Sequence, residues 1–79
     1  MPTVFRSGPY RVYFFSNEAH EPPHVHVDRD EKSAKFWLPP VRLAVNRGFG
    51  ATELKALHRL VARCEAECWK KWHDYFAAP

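Results

Sequence analysis

His24 and His26 stand two residues apart in EPPHVHVDRD, residues 21–30. Successive side chains of a strand point to opposite faces, so this spacing aims both imidazoles the same way. Paired histidines can ligate a metal. They can act as base and acid across a phosphodiester, because imidazole titrates near neutral pH. They can also serve as polar contacts on a binding surface. The plain alternative is a solvated strand face, with Asp28 pairing a histidine.

Cys64 and Cys68 lie one helical turn apart and would complete a Cys2His2 metal set. They fall on an apolar stripe, however, and free cysteine is among the most buried residue types. The cysteines are therefore expected in the core, with the histidines pointing away. Beyond Asp28 or Glu21 no third ligand is evident, so the sequence leads to no metal and no cofactor. The acid–base reading draws on further residues. Lys35 and Arg42 can stabilise charge developing on phosphorus. Trp37, Tyr13 or Phe15 can stack a base. Glu21, beside the rigid Pro22-Pro23 pair, can orient His24 and fix its tautomer. Such a set makes a metal-independent ribonuclease. The same aromatics and cations also make a non-catalytic platform for nucleic acid or protein. Arg47 opens a glycine-containing turn before a helix, where an anion could sit. That turn lacks a phosphate-loop pattern, which favours a plain connector. His20 reads as a loop residue and His58 as a boundary residue beside the helix stripe.

These side chains need elements to hold them. TVFR (3–6), YRVYFF (10–15), HVHVDR (24–29), AKFWL (34–38) and VRLAV (41–45) read as strands, bounded by Gly, Pro, Asn and Ser. From residue 51 the period changes. Leu54, Leu57, Val61, Cys64, Cys68 and Trp72 recur at three- and four-residue steps, one stripe of a single long helix over 51–77. Gly50 is its expected N-cap and Glu53 the acid of its first turn. Trp69, Trp72, His73, Tyr75 and Phe76 read as an aromatic clasp over the end of the core. The fold class is α+β: a small antiparallel meander of four to five strands, packed on one face by the C-terminal helix. One helix covers one face of a sheet. Val25, Val27, Phe36, Leu38, Val41, Leu43 and Val45 are expected under it, with Tyr10, Val12 and Phe14. His24, His26, Lys35, Trp37, Arg42, Tyr13 and Phe15 are expected on the open face, the histidines partly exposed. An exposed Trp37 between Tyr13 and Phe15 would form an apolar patch of the kind that marks an interface.

The chain of 79 residues makes one domain, sheet in 1–50 and helix in 51–77. Its net charge of +3 comes from 12 basic and 9 acidic residues spread over both parts, so there is no basic arm. Two cysteines are too few for a disulfide framework. No apolar run approaches the ~20 residues that cross a bilayer, and no signal peptide is evident. These features imply a reducing, cytoplasmic setting with no membrane partner.

PTVFR, YRVYFFSNE, EPPHVHV, AKFWLPPVRLAVNRGF and the closing ELKALHRLV…W…YF together resemble the bacterial domain-of-unknown-function family 4160. The resemblance spans essentially the whole chain. Gly50 stands where that family commonly has a serine cap, and Asn17 to His20 replace a more glycine-rich loop. The resemblance implies a small protein often encoded beside another of family 2442, an arrangement linked to toxin–antitoxin modules. The expected partner is then the neighbouring gene's product, with RNA as substrate and a homodimer as a further assembly. The toxin side, with ribonuclease chemistry, is the leading expectation. A non-enzymatic, antitoxin-like binding module is the alternative. The matched positions of interest are Glu21, His24, His26, Lys35 and Trp37, with Arg42 and Arg47.

Overall fold

The computed structural model describes residues 2–77. Five strands run in chain order: β1 Thr3–Ser7, β2 Tyr10–Tyr13, β3 His24–Arg29, β4 Lys32–Trp37 and β5 Arg42–Arg47. They form one antiparallel sheet in that same order. The turn from β1 to β2 needs a left-handed residue, and Gly8 supplies it at φ 56°. Two helices follow, α1 Ala51–Arg63 and α2 Glu65–Phe76.

Register explains the faces. Val12 pairs with Val27, Val27 with Ala34 and Val25 with Phe36, which makes a continuous apolar floor. All five side chains are buried, together with Leu38, Leu57, Leu60, Val61 and Cys68. The opposite row runs Tyr13, His26, Lys35 across β2, β3 and β4. The alternation in β3 and β4 therefore sorts core from open face as expected, and both Val12 and Phe14 lie inside.

Two expectations need correction. The C-terminal segment is two helices. Cys64 leaves helical geometry at φ −108°, ψ 14° and caps both. An unbroken rod of this length would span about 39 Å, while a six-residue strand spans about 20 Å. The break lets α2 turn against β1 and β3, so that the buried Trp72 packs on Phe14. The second correction concerns β5. Leu43 and Val45 are 45% and 42% exposed rather than core residues. An irregularity between the Lys35–Val45 and Phe36–Leu43 pairs shifts the alternation at Ala44. Val45 thereby joins Lys35 on the open face. Leu43 pairs with Phe36, but at a sheet edge that the helices leave uncovered. Val41, before the strand, is buried as expected.

Candidate functional site

The chain leaves the sheet after Tyr13 and re-enters it at His24. Between them residues 14–23 fold back on themselves. The Glu18 amide donates to Phe15 O (3.2 Å) and the Glu21 amide to Glu18 O (3.1 Å). The Phe15 amide donates to Glu18 Oε1 at 2.8 Å. These bonds fix a carboxylate over the start of β3. Pro23 O accepts the Leu38 amide at 2.9 Å, which anchors the other end of the loop.

Both histidines converge on Glu18. His26 Nε2 lies 3.1 and 3.0 Å from its two oxygens. His24 Nε2 lies 2.9 Å from Oε1 but has no aligned hydrogen-bond partner. His24 Nδ1 sits 2.9 Å from Pro22 O. A carbonyl only accepts, so Nδ1 carries the proton there. Glu18 is nearly buried and His24 is 0% exposed. Aromatic rings wall the cluster. Trp72 lies 4.7 Å and Trp37 5.5 Å from the His24 ring, centroid to centroid. Tyr13 stacks on His26 at 5.3 Å and Phe15 meets it edge-on at 4.9 Å.

Electrostatics follow the burial. Desolvation pulls the His26 pKa below its ordinary value, and the Glu18 contact offsets only part of this. Burial pushes the Glu18 carboxyl up, but the Phe15 amide and the histidines outweigh it and hold it below its usual value. Tyr13 is pushed up to about 12, first by burial and then by its hydrogen bond to Asp28.

The open face next to the cluster carries a pocket of about 230 Å³, lined by His26, Ser33, Ala34, Lys35, Val45 and Arg47. Lys35 Nζ pairs with Glu21 and lies 4.5 Å above the Trp37 ring. An apolar hollow of about 300 Å³ between β1 and α2 shares no residue with this pocket and contains no histidine.

The structure thus brings together His26, Lys35 and Arg47, while Arg42 stands exposed at the start of β5, opposite Trp37. Three site expectations change. His24 is shut in rather than partly exposed, because the returning loop and Trp72 close over the end of the sheet. Glu21 orients neither histidine: Glu18 bonds His26, Pro22 O holds His24, and Glu21 is taken up by Lys35. Tyr13 is 4% exposed, and with its neighbour it supports His26 instead of offering a stacking face or an apolar patch. Glu18 was the residue that sequence reasoning missed. Its one signal is a carboxylate six residues before His24, in a loop whose path is set by the Phe15, Glu18 and Glu21 amide bonds. Neither cysteine joins this cluster, and the expected core position holds for Cys68 while Cys64 is only half-buried. Cys68 is in the core, and burial raises its thiol to about 12.

No helix among the described residues is long and apolar enough to cross a membrane. No curated protein and no solved structure matches the chain. The family model described as "Domain of unknown function (DUF4160)" matches residues 10–73, from β2 into α2, and includes Glu18, His24 and His26. On that match the chain belongs to the DUF4160 family.

Proposed function

We propose that the chain is the toxin-side component of a bacterial toxin–antitoxin module that cleaves RNA by metal-independent acid–base chemistry in the cytoplasm. One observation carries the chemistry: the open-face pocket sets His26 beside Lys35, Arg47 and Ser33. Cations there suit a phosphodiester, and His26 suits proton transfer. With Nε2–H donated to Glu18, the ring keeps a lone pair on Nδ1, which no described residue hydrogen-bonds. Burial favours the neutral ring, and Glu18 stabilises the imidazolium that forms on proton uptake. Nδ1 takes the proton of a ribose 2′-hydroxyl, the oxygen attacks phosphorus, and the 5′-oxygen leaves with a proton returned from the imidazolium. The module assignment rests on the gene-pair habit of the family.

The test is RNA cleavage by the purified chain and growth of a host making it in trace amounts. His26→Ala should lower cleavage by about a hundredfold or more, the usual size of a lost general base. Glu18→Gln should lower it less. Growth arrest should be relieved by the neighbouring gene's product. Full activity in His26→Ala would sink the reading. A second reading then gains, favoured by exposed Leu43 and Val45 on the unpaired edge β5. An edge of this kind accepts a strand from a partner or a second copy. Such a binder acts stoichiometrically and is indifferent to His26.

A further inference from the structure

The loop and strand bring three metal-ligating side chains to one point. A carboxylate oxygen of Glu18, and a ring nitrogen of each of His24 and His26, lie within 4.8 Å of one another. Ligands each about 2.1 Å from a common ion stand at most about 4.2 Å apart. Small side-chain rotations therefore suffice to close the set on an ion.

The proton inventory points the same way. His24 Nδ1 is committed to Pro22 O, so Nε2 is the ring atom turned toward Glu18. That nitrogen is fully buried and has no hydrogen-bond partner among the described residues. A proton or a metal ion between this nitrogen and the Glu18 oxygen 2.9 Å away satisfies both atoms. His24 also has the outer contact typical of a metal-bound histidine, its second ring nitrogen donating to a backbone carbonyl. The rings of Tyr13, Phe15, Trp37 and Trp72 limit water around the cluster, which strengthens coordination. We infer that Glu18, His24 and His26 form a binding site for one divalent first-row transition ion. Two imidazoles and one carboxylate, with no thiolate, suit zinc, iron(II), nickel or manganese, and three protein ligands leave a coordination position for water.

Coordination by His26 Nε2 moves the ring proton to Nδ1. A loaded chain then lacks the lone pair that accepts the 2′-hydroxyl proton, so the ion is an inhibitor of cleavage. This last clause rests on the ribonuclease reading; the site itself does not. The experiment titrates zinc into the full chain, stripped with chelator and dialysed, by calorimetry. The expected result is one zinc per chain with micromolar or tighter affinity. Glu18→Gln and His26→Gln should each weaken it by at least about tenfold, with the fold retained by circular dichroism. His20→Ala, in the exposed part of the loop, should leave it unchanged. His24 variants are avoided because that ring is part of the packed interior. Absence of stoichiometric zinc uptake, or unchanged affinity in both Gln variants, would overturn the site. Zinc uptake in a chain that cleaves no RNA would refute the ribonuclease reading and leave the site standing.

Discussion

Each end of β3 is tied to a carboxylate, and the two ties are built differently. At the Arg29 end, Glu53 from the first turn of α1 accepts bonds from Arg29 Nε (2.7 Å), Arg29 Nη2 (2.9 Å) and Tyr10 OH (2.6 Å). At the His24 end, Glu18 faces two imidazoles and the Phe15 amide. Arginine is charged at every pH a cell meets. The Glu53 clamp is therefore permanent and saturated, and it staples helix to sheet. Histidine exchanges protons near neutrality and offers lone pairs to metals. The Glu18 cluster keeps one buried nitrogen without an aligned partner, an expense that a purely structural clamp avoids. The saturated cluster of fixed charges holds the fold; the undersaturated one is where the proposed chemistry is placed.

The contrast breaks most visibly at the lid of the histidine end. Trp72 is 4% exposed and packs on His24, Phe14 and Phe76. Trp72→Ala should destabilise by about 3–5 kcal/mol, the usual cost of truncating a buried aromatic. Urea unfolding measures it. A loss under about 1 kcal/mol would mean that α2 does not close this end.

His24→Ala comes next. Truncation leaves a cavity and strips Pro22 O of its donor, so a cost of about 2–4 kcal/mol is expected. An exposed strand histidine would cost within about 0.5 kcal/mol. The same unfolding curves separate the two. The small value would return His24 to the open face.

The Glu53 end is probed with acid. The hydrogen bonds from Arg29 and Tyr10 hold the Glu53 carboxyl down to about 2, against an ordinary value of 4.5. A lowered folded pKa means stability that is fully present above the unfolded pKa and lost as pH falls toward the folded one. The melting temperature should therefore fall between about pH 4.5 and pH 2, and fall less steeply in Glu53→Gln. Parallel pH curves for the two chains would show that the clamp is not formed. Zinc uptake in Glu53→Gln should match the unmodified chain.

Much of this was legible in the residues. HVHVDR carries a strict period of two, and the structure places β3 at those same residues with Val25 and Val27 inside. Local alternation suffices there because both neighbouring strands repeat it in register. It fails in β5, where a shift at Ala44 changes which residues share a face, and nothing in VRLAV announces a bulge. The break at Cys64 is equally silent, since no proline or glycine marks it. The shared face of His26 and Lys35 followed from the alternation, and the register pairs them directly. Glu18 did not, because a loop's path depends on bonds such as Phe15 N–H to Glu18 that no periodicity encodes. His24 obeyed the strand pattern but was buried by Trp72, 48 positions later in the chain.

The smallest effect tests the structural end alone. Gly50 is the N-cap of α1 at φ −77°, ψ 167°, an extended conformation that serine adopts readily, and no side-chain bond caps the helix. A Cβ at this position meets nothing within 4 Å. Serine should therefore fit without strain and accept a hydrogen bond from the Thr52 or Glu53 amide. A full capping box also needs the Glu53 carboxylate to reach back to the cap amide. Here that carboxylate is held by Arg29 and Tyr10, so only half the box can form. Gly50→Ser should add about 0.3 kcal/mol, the difference between serine and glycine caps. For a domain of this size that is a rise of roughly 1–2 °C in melting temperature. Zinc affinity and RNA cleavage should not move, because the change lies at the fixed-charge end of the sheet. A lower melting temperature would place the start of α1 elsewhere, and a changed zinc affinity would mean that the two ends of β3 are coupled.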